Sequence, residues 1–260
     1  MPDIHAVSRE RHASKRWQRY SSYSFAATDA VAPLVIPELA KACMSLPLGF
    51  IAADEGYIPV AIQGLTPGTN LWVAPNGQWL GGYVPAVYRS YPFRLANTDD
   101  GKQVLCILEN SGLLSDTEGE AFFDDSGEPT QAVKDVLNFL TQVAGKQQAT
   151  QRACAALQKH NLIKPWPIQL NTDAGSQTIE GLHTVDEAAL NQLPAEALLE
   201  LRDAGALPMA YCQALSTQHL QKLGQLLQHQ AAQDTAALQD PGGELDLEFL
   251  SDTDTIRFGG

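Results

Sequence analysis

The period of the apolar positions changes along the chain, and the changes divide it. A short helical stretch, Ile36 to Ser45, is expected between prolines. Leu46 to Ile51 then reads as a buried strand, and Tyr57, Ile58, Val60 and Ile62 suit a second, ended by Gly64 and a Pro67-Gly68 turn. Asn76-Gly77 between LWVAP and QWLGGY is a strong hairpin signal, because both turn positions of the favoured loop need positive φ. Pro85 can open one helical turn that Pro92 ends, and Asp100-Gly101 joins FRLAN to KQVLCILE as a second hairpin. The centre is therefore expected to be an antiparallel meander fed by hairpins.

From Pro129 the period moves to 3.6: Val133, Val136, Leu137, Leu140, Val143 and Ala144 share a helical face. The pattern resumes after a break near Gly145, through Ala153, Cys154 and Leu157, and stops at Pro165 and Pro167. Asn171 to Thr178 is polar and reads as a linker or exposed loop. In the last third, Thr184 to Glu187 fits a capping box before Leu190 and Leu193. Leu198, Leu199 and Leu201 lie in a helix that Gly205 can terminate, and Ser216 is a candidate N-cap for a final helix with Leu220, Leu223, Leu226 and Leu227. The expected fold class is α+β: a central antiparallel β-meander with flanking helices and a mainly helical C-terminal third. The expected organisation is a basic arm (1–20), an α+β core (21–168), a helical region packed on it (169–239), and an acidic tail or late strand (240–260), where GGELDLEFLSDTDTIRFGG alternates weakly.

Charge sharpens this picture. A net charge of −13 argues against a nucleic-acid surface, which needs a basic footprint. The exception is the arm, where Arg9, Arg11, Lys15, Arg16 and Arg19 stand against Asp3 and Glu10; it reads as a solvated basic arm or as a contact for an acidic partner or a membrane face. The four cysteines, Cys43, Cys106, Cys154 and Cys212, make no CxxC pair and are expected as reduced, mostly buried thiols. No signal-peptide pattern is visible, and the most apolar stretch, Val31 to Ala53, is broken by prolines and charges, so no transmembrane segment is expected. The default compartment is the cytoplasm, with export by a non-classical route left open.

No catalytic constellation stands out. There is no GxSxG, P-loop or GxGxxG, and the histidines (His5, His12, His160, His183, His219 and His229) make no HxH, HxxxH or HExxH spacing. His183 and Asp186 are spaced HxxD, and Asp186 suits an ordinary helix start. Glu109 to Glu128 holds seven carboxylates and no cation. Asp116, Glu118, Glu120, Asp124 and Asp125 could supply oxygens to a hard cation such as Ca²⁺, though not at EF-hand spacing; the alternative is a solvated loop. Trp72, Trp79, Tyr83, Tyr88, Tyr91 and Phe93 concentrate aromatic surface in one region, with Arg89 and Arg94 able to engage a carboxylate. This reads either as a groove for a peptide or protein partner or as a core of cross-strand aromatic pairs.

GQWLGGYVPAVYRSYPF, followed by LCILENSGLLSDTEGEAFFDDSGEPT, resembles the bacterial SapC family pattern GxW-x-GGYVPA-x-x-R-x-YPF with its acidic LSDxEGxxLFDxxGEP stretch. IEGLHTVDEAALNQLPAEALLELRDAGALPMAYCQALS is similar to later family segments, so the resemblance spans roughly residues 20 to 230. His183 departs from it, standing where the family usually carries an aromatic residue, often Tyr. The resemblance implies association with surface-layer proteins in some bacteria but no established reaction, catalytic residue or cofactor. Related sequences accompany tryptophan-halogenase-like flavoproteins, cupin-type hydroxylases and outer-membrane receptors, which implies an accessory role. The expectation is a non-enzymatic binding protein that holds a peptide or protein partner. The alternatives are a metal-dependent enzyme, oxygenase-like or hydrolytic, using the acidic loop, and a structural surface-layer component.

Overall fold

The structure is a computed structural model that describes residues 3–98, 101–172 and 175–239. Its strands, in chain order, are β1 (Ile4–Ala6), β2 (Arg16–Trp17), β3 (Val31–Pro33), β4 (Leu48–Ala53), β5 (Gly56–Ile62), β6 (Phe93–Asn97), β7 (Gln103–Leu108), β8 (Leu114–Ser115), β9 (Glu120–Ala121), β10 (Ile163–Pro165), β11 (Ile168–Thr172), β12 (Gly175–Ile179) and β13 (Leu182–Val185). Its helices are α1 (Arg9–His12), α2 (Ile36–Ala42), α3 (Ala86–Arg89), α4 (Gln131–Ala144), α5 (Gln147–Lys159), α6 (Glu187–Leu190), α7 (Ala195–Asp203), α8 (Ala206–Ser216) and α9 (Leu220–Gln239). The class is α+β, and every strand pairing is antiparallel.

The antiparallel content is divided among several sheets. The largest has the order β10-β13-β4-β5-β3, so the local hairpin β4–β5 is extended by strands from beyond α5. A second sheet, β1-β7-β6, is built on the hairpin around Gly101. A third, β8-β2-β9, threads Trp17 between two pieces of the acidic segment. Two apolar cores result. One gathers Leu46, Phe50, Ile62, Trp72, Leu157, Leu201, Met209 and Leu223 around the five-stranded sheet. The other packs Trp17, Phe93, Ile107 and Phe122 against the inner face of α4 through Val133, Val136 and Leu140.

Local chemistry explains most boundaries. Glu38 reaches back to accept from the Val35 N–H at 3.1 Å, satisfying a donor at the start of α2, and Pro37 in the first turn costs no hydrogen bond. Gly145 separates α4 from α5, as the break in periodicity indicates. Asp186 caps α6, accepting from the Ala189 N–H at 3.2 Å.

Four local readings are corrected. Asn76-Gly77 does form a turn that folds Trp72–Ala74 back on Gln78–Leu80, with Ala74 N–H donating to the Gln78 carbonyl and Leu80 N–H to the Trp72 carbonyl, but Asn76 lacks the expected positive φ and the pairing is one bridge long, Val73 to Trp79. The backbone nearby is engaged elsewhere: Leu71 N–H donates to the Gln63 carbonyl and Trp72 N–H to the Asn70 side chain. Thr184 is not a cap; it lies in β13, and its hydroxyl donates to Gln213 at 3.1 Å. Ser216 ends α8, where its hydroxyl accepts from Leu48 N–H at 2.9 Å and donates to the Gln213 carbonyl. The described residues of Asn171 to Thr178, expected as a linker or exposed loop, belong instead to the paired antiparallel strands β11 and β12. The tail from Asp240, expected as a late strand or a docked segment, lies outside the described residues.

Candidate functional site

The aromatic residues singled out from sequence are divided between the two cores: Phe93 joins Trp17 and Phe122 in one, while the rest pack in or against the other or on rings from the N-terminal segment. Trp72 is fully buried and donates its indole N–H to the Ile62 carbonyl at 3.2 Å. Tyr88 is buried and donates to Gln63 Oε1 at 2.6 Å, its phenol pushed above its ordinary pKa by burial. Trp79 donates to the Tyr83 carbonyl at 3.0 Å and meets Tyr23 and Tyr88. Tyr91 stacks on Phe25 with centroids 3.8 Å apart.

The two arginines part company. Arg89 donates to the Tyr83 hydroxyl at 2.8 Å, lies 3.7 Å from Glu38 Oε1, and sits over the rings of Tyr83 and Phe139. Glu38, which sequence reading did not single out, is 5 % exposed and is the hub. Its Oε1 accepts from Tyr83 OH at 2.9 Å and from Ala86 N–H at 2.6 Å. The signal for it was its place three residues after Val35, where a carboxylate can reach back to a helix start. Arg94, by contrast, is exposed on β6 and makes no ion pair among the described residues.

Arg94 stands on the rim of a cleft of about 440 Å³ between the two cores. Pro33, Val35, Tyr57, Ile58 and Pro59 form one wall, Ala86, Val87, Ser90, Phe93 and Leu95 another, and Leu140, Val143, Gln147 and Gln151 close the end. The walls are mainly apolar; Glu38 contributes a carboxylate already engaged by its own donors.

Two open strand edges border this cleft. Leu108 N–H donates to the Pro92 carbonyl and Thr98 N–H to the Lys102 carbonyl, which puts the even-numbered residues of β6 in register with β7. Antiparallel pairing alternates, so Leu95 and Asn97 turn their N–H and C=O groups away from β7. In the β1-β7-β6 order nothing pairs with that edge among the described residues. On the opposite wall, Leu34 N–H donates to the Pro59 carbonyl, and the same alternation leaves the edge of Tyr57 without a strand partner among the described residues past the end of β3.

The acidic loop lies elsewhere and meets the basic arm. Lys15 contacts Asp116 at 2.6 Å, Arg19 contacts Glu120 at 3.0 Å, Arg9 contacts Glu128 at 3.4 Å, and Arg11 grips Glu109 with two bonds of 2.9 Å. Gln18 donates to Glu118 at 3.3 Å. The arm is therefore clamped, not free in solvent. Asp124 folds its own turn, accepting from Ser126 and from Glu128 N–H, and these bonds hold its carboxyl below the usual range. Asp125, beside it, is exposed. Asp116, Glu118, Asp124 and Asp125 do not converge. Among the described residues the group that brings three potential ligands within 4.8 Å is Asp3, His5 and Glu109, and there Glu109 is already held by Arg11. Of the histidines, His5 and His12 lie beside Glu109 at the start of the acidic segment, whereas His183 packs on Tyr57 and His160 contacts Glu200 at 3.1 Å. All four cysteines are free, and burial pushes the Cys154 thiol up to about 12, which disfavours the thiolate. No helix of the described residues is long and apolar enough to cross a membrane.

Fold and site together define an α+β protein with a mainly apolar cleft between two cores. The SapC family model matches residues 7–223, and the chain belongs to that family. No curated protein and no solved structure matches it.

Proposed function

We propose that the chain is a non-enzymatic binding protein whose cleft accepts an extended segment of a peptide or protein partner. The observation that carries this reading is the pairing of an apolar cleft with an edge of β6 and a cation, Arg94 on its rim, that have no partner among the described residues. An open edge offers main-chain hydrogen bonds to an added strand, and apolar walls take alternate side chains. Arg94 favours a segment that is acidic as well as apolar. Trp72 and Tyr88 support the wall and do not touch the partner; Tyr83, Arg89 and Glu38 hold α3 in place beside it.

Selection of displayed decapeptides on the immobilised chain tests the proposal. The wild type should enrich peptides alternating acidic and apolar residues, and Arg94→Glu should lose the acidic preference. Absence of any enrichment on the folded wild type would contradict it.

A further inference from the structure

The basic arm brings an aspartate and two histidines to one carboxylate at the start of the acidic segment. Asp3, just before β1, and His5, within it, are two positions apart, the spacing that puts side chains on one face of a strand. Ile4 is in register with Leu108, and the Glu109 N–H donates to the Asp3 carbonyl at 2.9 Å, so Glu109 stands opposite Asp3. Ligand atoms of Asp3, His5 and Glu109 lie within 4.8 Å of one another, with His5 Nε2 2.7 Å from Asp3 Oδ1. A fourth group comes from α1. His12 is 1 % exposed, and its Nε2 has no hydrogen-bond partner and lies 3.2 Å from Glu109 Oε1. We infer that these residues form a site for one divalent first-row transition-metal ion such as Zn²⁺, with Asp3, His5 and Glu109 as ligands and His12 as the ligand on the buried side.

The orphaned nitrogen is the feature that calls for a ligand, because buried polar atoms are otherwise paired. His12 Nδ1 lies 3.2 Å from the Ser8 N–H and 3.3 Å from the Ser8 carbonyl. Donating to that carbonyl leaves a lone pair on Nε2, the arrangement usual for metal-bound histidine. The lone pair then faces a carboxylate oxygen, and a cation between them satisfies both. Zn²⁺ bonds of about 2.0–2.2 Å set tetrahedral ligands roughly 3.3–3.6 Å apart, the scale of this gap. Arg11 does not fill the site. It donates to both oxygens of Glu109, each of which keeps a second lone pair, and it orients the carboxylate as an outer-shell partner. Two imidazoles with two carboxylates favour Zn²⁺ over Ca²⁺ or Mg²⁺, which take oxygen ligands. His12 and Glu109 also line a cavity of about 310 Å³, which gives the ion a way in. The ion fastens β1 and the four-residue α1, each too short to hold alone, to the end of β7. The site is separate from the cleft, and neither depends on the other.

Calorimetric titration of Zn²⁺ into the untagged, chelator-stripped full-length chain tests the site, alongside the variants Asp3→Asn, His5→Ala and His12→Phe. The wild type should bind one Zn²⁺ per chain, and each variant should bind it at least about tenfold more weakly, the least that loss of an outer-shell partner costs. Asp3 and His5 reach solvent, so their variants stay folded, and phenylalanine keeps a ring against Phe122. X-ray absorption at the zinc edge should show two imidazoles in the wild type and one in His12→Phe. Zn²⁺ should raise the urea midpoint of the wild type and not that of His5→Ala. Absence of stoichiometric Zn²⁺ binding by the folded wild type overturns the proposal. Equal binding by wild type and His5→Ala overturns the location. Weak binding in His5→Ala with full affinity in His12→Phe overturns the four-ligand set, and tighter binding of Ca²⁺ than of Zn²⁺ overturns the class of ion.

Discussion

Single residues decide how the site is held. Glu38 accepts from Val35 N–H, Tyr83 OH and Ala86 N–H while almost wholly buried, so its removal orphans three donors at once. Orphaned buried donors cost about 1–3 kcal/mol each, and Glu38→Ala should lower stability by about 3 kcal/mol or more in urea unfolding. His12 acts through pH. It is 1 % exposed beside Phe122, with Nε2 3.2 Å from Glu109 Oε1 but out of line for a hydrogen bond. Burial pulls its pKa below the ordinary value despite Glu109, with Arg11 also disfavouring the charged ring. The neutral ring is thus the folded form. Its contribution is full above an unfolded pKa of about 6.5 and is lost as pH falls through the depressed folded value. Glu109, held below the usual carboxylate range chiefly by Arg11, adds a loss of the same sign at lower pH. Wild type should therefore lose more stability between about pH 7.5 and about pH 5.5 than His12→Phe, as urea midpoints at the two values would show.

At the scale of elements, the arm and the acidic segment form one unit. Trp17 is the anchor: it lies in the second core, edge-on to Phe93 at 4.8 Å, between β8 and β9. Trp17→Ala should cost about 3–5 kcal/mol and release the arm together with the loop. The ion pairs around it are exposed, so salt screens them. Raising NaCl to about 1 M, where the screening length is about 3 Å, should speed trypsin cleavage after Arg9 and Lys15. What sequence disclosed about elements followed locality. The α4–α5 break at Gly145, the hairpin around Gly101 and the cap at Asp186 are written in neighbouring residues. The insertion of β13 between β4 and β10 is not, because its partners lie far along the chain. Nor are β1 and β2, three and two residues long, which are too short to show a period. The expected Thr184 cap lost to the strand because β13 and Gln213 offer its backbone and hydroxyl better partners.

At the scale of the molecule, the cleft exists because two cores meet without merging. Its position follows from how α3, β6 and the turn from α4 into α5 fall against the sheet edge. That explains how much of the site sequence could show. Arg94 and the aromatic block were visible as residues. That Arg89 is clasped by Glu38 while Arg94 is left open depends on contacts across 51 positions, from Glu38 to Arg89, and on no local signal. The acidic loop looked like a ligand set because its partners in the arm are about 100 positions away, as Lys15 and Asp116 are.

The central claim, strand addition at β6, meets its most direct test in Leu95→Pro. Proline removes the outward N–H but leaves the hydrogen bonds of Arg94 and Ala96 to β7 intact, a substitution that edge strands tolerate. The affinity of an acidic–apolar peptide from the selection should fall at least about tenfold in the folded variant. Undiminished affinity would contradict the account.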